Sequence, residues 1–222
     1  MSHTAERERA SADIVRVCRR LYERGLIAGP DGNVSVRLGN GSILVTPGGL
    51  SKVDVCADDL VIVDSTGHVL EGGRRPSSEL RMHLRIYVRR SDVCAVVHAH
   101  PPTATGFAVA GESFMAPVLP EVILQMRAVP LVRYATPGTD ALADLFDPVL
   151  NDHDAFLMAN HGATTLGATL DQAHQRMESL EHAARILLVA KSLGRVNELS
   201  SADVQALLGA AGGDNPSRGD GR

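Results

Sequence analysis

Strand pairs joined by short glycine-containing turns, interleaved with amphipathic helices, predict an α/β fold whose sheet is largely antiparallel. Two hairpin signals carry this prediction. The alternating strand that ends at Arg37 returns through Gly39-Asn40-Gly41 into Ser42–Thr46, and Leu60–Asp64 returns through Ser65-Thr66-Gly67 into His68–Leu70. A third observation is a pair of apolar runs, Val93–Val97 and Ala155–Ala159, each stopping abruptly at a polar or proline-containing turn as buried strands do.

The elements follow in order. Ile14, Val17, Cys18 and Leu21 recur at helical spacing, so Ala12–Arg24 reads as an amphipathic helix with Gly25 as its C-cap. Gly29-Pro30-Asp31-Gly32-Asn33 is a turn leading into the first strand; Gly32 and Asn33 either simply shape it or present amide donors to an anion. Pro47-Gly48-Gly49 closes the second strand, again as a plain turn or as a place where uncovered amides meet a phosphate. Pro76-Ser77-Ser78-Glu79 opens a helix to Arg90. Serines there cap free amides or, by the same chemistry, hold an anion. His83, one turn past Glu79, reads as a core or supporting residue. Thr103–Val109 and Thr139–Leu150 read as further helices, whereas Pro117–Val132 shows no resolvable pattern. Thr169 with Gln172 fits a capping box at the start of a long last helix, whose His174 and His182 read as packing or surface residues. Ser200–Leu208 adds a short helix. Residues 1–208 therefore form one expected domain, and the Gly/Asp/Ser-rich stretch 209–222 is expected to be a disordered tail.

Composition excludes more than it names. The 222 residues carry a net charge of -4 and only 3% aromatics, which argues against a nucleic-acid groove. No apolar run reaches the length of a membrane span, and the polar N-terminus is unlike a secretory signal. Three cysteines stand singly, as expected of reduced thiols in a cytoplasm.

The stretch that organises the chain is Val96-Val97-His98-Ala99-His100-Pro101. Side chains two apart on a strand share a face, so His98 and His100 project together. Two such imidazoles either hydrogen-bond to neighbours or donate to one metal ion, and a catalytic zinc needs a third protein ligand. Ala155–Ala159 delivers a further histidine in Asn160-His161-Gly162.

Gly32-Asn33-Val34-Ser35, Thr46-Pro47-Gly48-Gly49, Pro76-Ser77-Ser78-Glu79, His98-Ala99-His100 and Asn160-His161-Gly162 occur in this order. The series resembles the class II aldolase/adducin family, especially its bacterial fuculose-phosphate aldolase branch, as does Tyr134-Ala135-Thr136-Pro137-Gly138-Thr139. The resemblance covers about Ala12 to Leu193. It implies a three-layer α/β/α sandwich with a mainly antiparallel central sheet, assembled as a homotetramer with active sites between subunits. It also implies zinc, or another divalent transition metal, on His98, His100 and His161. Glu79 would complete the coordination of an empty site and swing away to act as base. Gly32, Asn33, Gly48, Gly49, Ser77 and Ser78 match phosphate-binding positions. The implied reaction is aldol cleavage of a small phosphorylated sugar, a fuculose-, deoxyribulose- or methylthioribulose-phosphate-like ketose 1-phosphate, to dihydroxyacetone phosphate and an aldehyde. No Schiff-base lysine is required, and Lys52 and Lys191, the only lysines, lie outside the matched motifs.

One departure concerns the aldehyde half. The branch resembled uses a tyrosine as acid toward the aldehyde oxygen, supplied by a neighbouring subunit. Leu119 stands at that position, and no tyrosine follows Tyr134. Nearby Glu121 is either a replacement acid, kept protonated beside apolar neighbours, or a surface carboxylate. Other members of the family resembled are sugar-phosphate decarboxylases, epimerases and dehydratases. Glu79 favours aldolase over the epimerases, which carry aspartate there, and over the dehydratases, which lack the acid. Retention of the three histidines argues against a non-catalytic adducin-like binding module.

Overall fold

The computed structural model of the protein describes residues 3–212. Eight strands form one sheet: β1 (Asn33–Arg37), β2 (Ile43–Val45), β3 (Val61–Val63), β4 (Val69–Glu71), β5 (Ala95–Ala99), β6 (Leu131–Val132), β7 (Ala155–Met158) and β8 (Gly162–Gly167). Their spatial order is β4-β3-β2-β1-β5-β8-β7-β6. Neighbours are antiparallel except β6 and β7, which are parallel. Both expected hairpins form. The first is closed by Leu38 N–H to the Ser42 carbonyl at 2.8 Å.

Helices cover both faces. Ala95, Val97, Ala99, Leu157 and Ala163 point toward α1 (His3–Glu23), α3 (Pro102–Ala110), α4 (Pro120–Met126) and α6 (Leu170–Ser192). Val96, Phe156, Met158 and Leu166 point the other way, onto α2 (Leu80–Arg89) and α5 (Asp140–Asp144). This is the three-layer sandwich, its two cores separated by the period-2 alternation of the central strands. Phe146 and Phe156 are fully buried 5.2 Å apart, edge to face, each contributing about 1.5–3 kcal/mol by its burial.

Several boundaries differ from expectation. α1 starts at His3 rather than Ala12, because its charged first turns are tied down by polar contacts. Glu6 accepts the Gly39 amide and Arg7 pairs with Glu71. The α2 cap position is Glu79, not a serine; Ser77 Oγ instead accepts the Glu79 amide at 3.3 Å. In the α6 cap, Gln172 Oε1 accepts from Ala168 N–H rather than from Thr169 N–H. The patternless 117–132 stretch contains α4 and β6. The short last helix, α7, spans Ser201–Gly212, so residues 209–212 of the expected tail are helical and the rest lies outside the described residues.

Candidate metal centre and anion cradle

Antiparallel pairing brings Asn33, His98 and Thr164 into one row across β1, β5 and β8. His161 occupies the tight turn from β7 to β8, where Asn160 takes the left-handed conformation at φ 56°. Gly162 follows of necessity. A Cβ there would lie 2.6 Å from both the Ala99 carbonyl oxygen and the His100 ring. That close approach lets the imidazoles of His98, His100 and His161 converge, with ring centroids 4.8–5.2 Å apart. One nitrogen from each ring falls within 4.8 Å of the others, a group able to hold a metal ion.

The Glu79 carboxylate lies in this convergence. Its Oε2 is 3.1 Å from His98 Nε2 and its Oε1 is 3.1 Å from His161 Nε2. Asn33 Nδ2 donates to Oε2 at 2.8 Å. Burial pushes the Glu79 carboxyl up, but the charges and hydrogen bonds of His98 and His161 outweigh it and hold the group well below the usual carboxylate range.

The hydrogen bonding of His98 tests whether a cation fits. Its Nδ1 faces the Ala163 carbonyl oxygen at 2.9 Å, an acceptor only, so Nδ1 carries the proton. In a neutral ring Nε2 is then a bare lone pair, aimed at the Glu79 carboxylate and at His100 Nε2, also 3.1 Å away. Burial, with the His98 and His161 charges, lowers His100 to a pKa of about 4, so that ring is neutral near pH 7. Ring nitrogens and a carboxylate converging in a buried place favour a positive charge among them. Imidazole nitrogens with a carboxylate suit zinc and neighbouring transition metals. The donor set fits the group.

The anion-motif residues surround Glu79. A Cβ on Gly32 would lie 2.7 Å from the His98 carbonyl oxygen, and one on Gly48 would lie 3.4 Å from that of Pro76. Ser77 N–H bonds to the Thr46 carbonyl at 3.2 Å, pinning the serine turn to the Pro47–Gly49 loop. Gly138 packs on Ser78, with room for no side chain there. The Gly48 amide is not uncovered as its turn implied: it donates to Arg75 O at 3.1 Å. Ser77 is buried, while Ser78 and Gly49 are exposed.

Glu121 is elsewhere. It lies exposed in the first turn of α4, with half-buried Leu119 at the cap. His83 is fully buried, with Nδ1 2.7 Å from Ser35 Oγ, which in turn lies 2.8 Å from the Tyr87 hydroxyl. Sequence reasoning passed over Asp31, whose Oδ2 lies 3.6 Å from His100 Nδ1. Its place beside Gly32-Asn33 was the available signal.

Residues 12–188 match the family model described as the class II aldolase and adducin N-terminal domain. The chain belongs to this family. A 5-deoxy-D-ribulose 1-phosphate aldolase of Bacillus thuringiensis is 36% identical over 88% of the chain and 92% of its own length. A 3-oxo-tetronate 4-phosphate decarboxylase of Escherichia coli is 32% identical, over 80% of the chain and 85% of its own. Among solved structures, an L-fuculose 1-phosphate aldolase superposes with a TM-score of 0.85 at 30% identity, covering 91% of this chain and 96% of that one. The class II aldolase fold is thus shared across aldolases and a decarboxylase, both acting on small phosphorylated sugars or sugar acids by name.

Proposed function

We propose that this class II aldolase family member is a zinc-dependent, or other divalent-metal-dependent, aldehyde-lyase. It would cleave a fuculose-, deoxyribulose- or methylthioribulose-phosphate-like ketose 1-phosphate to dihydroxyacetone phosphate and an aldehyde. The observation that carries the reading is the Glu79 carboxylate, bridging His98 and His161 at 3.1 Å each, two residues from Ser77 at the same helix start. A carboxylate there repels a bound phosphate, which a purely structural residue gains nothing by doing. A proton shuttle must stand at that place, beside the carbon next to the phosphate-bearing end.

A divalent metal on the three imidazoles supplies Lewis-acid stabilisation of negative charge on substrate oxygens. The protein does the rest. Ala163 O fixes the His98 tautomer, and Asp31 faces the outer nitrogen of His100. The hydroxyls of Ser77 and Ser78, the Asn33 amide and the Gly49 backbone hold the phosphate, while Gly32 and Gly48 keep the approach open. When the carbon–carbon bond breaks, its electron pair stays on the dihydroxyacetone phosphate half, and Glu79 passes that carbon a proton taken up from solvent, matching the one the cleaved alcohol gives back to solvent. The proton of the cleaved alcohol leaves on the aldehyde side, where we assign Glu121 of a neighbouring subunit.

That assignment requires a homotetramer with sites between subunits. Exposed Val109, Leu188, Val189 and Leu193 on α3 and the end of α6 supply apolar surface for such contacts. A cytoplasmic setting agrees with the free thiols of Cys18, Cys56 and Cys94. Among the described residues no helix is long and apolar enough to cross a membrane.

The test is a panel of ketose 1-phosphates assayed for dihydroxyacetone phosphate, beside 3-oxo-tetronate 4-phosphate assayed for carbon dioxide. Release of dihydroxyacetone phosphate, with a much poorer rate on the unphosphorylated sugars, supports the reading. Carbon dioxide alone replaces it with the decarboxylase.

A further inference from the structure

Lys52 lies outside every motif, yet it is 2% exposed and among the largest fully buried side chains of the described residues. A lysine is almost never buried so completely without partners that repay its desolvation. Its partners are backbone carbonyls. Nζ donates to Pro30 O at 2.8 Å and to Leu50 O at 2.9 Å, and the Lys52 amide donates to Gly29 O at 3.1 Å. The amine thus joins two loops that are distant in sequence. The loop through Pro30 continues into Asp31, Gly32 and Asn33, which face His100, back onto β5 and bond Glu79 respectively. The loop through Leu50 is the one whose Gly48 abuts the Pro76–Ser78 turn. Burial lowers the amine's pKa, against the opposing effects of Cys18 and Asp31.

We propose that Lys52 is a positioning residue of the anion subsite: one side chain sets the spacing of the two glycine loops between which the substrate's phosphate binds. The inference rests on the anion reading of Asn33, Gly49, Ser77 and Ser78. An apolar residue could fill the same space from the same backbone. It would leave the Pro30 and Leu50 carbonyls without their shared donor and the two loops free to move apart. Lys52 touches neither the metal ligands nor Glu79 and reaches them only through the Asp31–Asn33 segment, so its loss weighs chiefly on phosphate affinity.

The experiment uses inorganic phosphate as a competitive inhibitor of the metal-loaded enzyme, with wild type and Lys52→Met compared. In the variant, phosphate inhibition and the KM for the phosphorylated substrate should both weaken by about tenfold, the loss expected for about one net hydrogen bond. Metal stoichiometry should hold, and kcat should fall by clearly less than KM rises, the signature of a loss chiefly in binding. An unchanged phosphate inhibition constant in a folded Lys52→Met enzyme overturns the inference while leaving the anion subsite standing. If phosphate fails to inhibit the wild type, the anion reading itself falls, and the inference with it. Should Lys52→Met not fold, amide hydrogen exchange on the wild type decides. Phosphate should slow exchange in residues 29–33 and 48–52 together, and protection confined to one loop overturns the coupling.

Discussion

The strands β5 and β8 carry a polar cluster at each end, and the two clusters are opposites. At one end the ring nitrogens of His98, His100 and His161 face each other and a carboxylate, with Nε2 of His98 and His100 3.1 Å apart. At the other, Arg90 and Arg176 share Asp154 at 2.7 and 2.9 Å. Arg90 also donates to the Asp92 carboxylate and to the carbonyls of Leu150 and His153, and Arg176 to those of Gln125 and Leu166. A cavity of about 540 Å³ opens at this second end, lined by Arg90, Asp154, Gln172 and Arg176. Size would place the chemistry there, yet each of these guanidiniums is already matched by acceptors. The histidine end is electrostatically incomplete and calls for a cation. Incompleteness, more than volume, is the ground on which we propose the histidine end as the reactive one.

The largest effect should come from breaking the incomplete end. Replacing His98 with Ala removes the one ligand whose tautomer is fixed by Ala163. Metal analysis should then find none bound, and turnover should vanish; a stoichiometric metal in His98→Ala would dismiss the three-histidine site. Glu79→Gln separates metal binding from proton transfer. It keeps shape and hydrogen bonding but accepts no proton. Metal content should persist while turnover drops about 10²–10⁴-fold, the usual worth of a general acid–base group. Exchange of the dihydroxyacetone phosphate proton with solvent should fall alongside. Wild-type exchange would show that Glu79 is not the base.

Much of the incomplete end was legible because it depends on short-range geometry. Period-2 alternation put His98 and His100 on one side, and the abrupt strand end before Asn160 supplied the third imidazole. The largely antiparallel sheet followed from the hairpin turns, and the sandwich form was what the family resemblance carried by the motifs implied. What escaped depends on contacts between distant segments. Nothing near Gly48 announces that its amide is spent on Arg75, nor does Lys52's neighbourhood show that its amine bridges two loops. The seven-residue α4 and two-residue β6 are too short for periodicity to show, and β6 joins the sheet by a parallel pairing with β7 that no turn signals. The first turns of α1 lacked an apolar stripe because distant polar partners hold them.

Glu121 tests whether the incomplete end is complete within one chain. Exposed on α4, it can serve only from a neighbouring subunit. If it does, Glu121→Gln should lower turnover by about 10²-fold, with metal content and proton exchange unchanged. Unaltered turnover returns it to the surface carboxylates. The matched end should respond in another currency. Arg176 is 8% exposed, and Arg176→Met strips Asp154 and two carbonyls of a shared partner. The expected cost is about 3 kcal/mol of stability, near the lower figure for breaking a buried pair, read from urea unfolding. Metal content and turnover of the folded variant should match wild type. A selective loss of activity would mean that the second end takes part in the reaction.

The last effect, spread over pH so that each step is small, concerns His83, which lies close enough to the incomplete end to feel its charges without joining it. Burial lowers its pKa to about 3, the His98 charge acts in the same direction, and Glu79 opposes both. The folded protein therefore refuses a proton that the unfolded chain accepts below about pH 6.5. The contribution of a neutral His83 is thus complete above that pH and is lost as pH falls toward 3. For one such proton the slope is about 1.4 kcal/mol per pH unit. His83→Gln can still bond to Ser35 but does not titrate. In urea unfolding with chelator present, so that metal release does not contribute, wild type should lose its advantage over the variant at about that slope between pH 6 and pH 4. Equal slopes would mean that His83 takes up its proton in the folded protein as readily as in the unfolded chain, and so is charged there below about pH 6.5. A charged imidazole would then stand behind Glu79 and His98, supplying some of the positive charge that we assign to a metal. The slope therefore tells whether a charge behind Glu79 and His98 accompanies the histidine end below that pH.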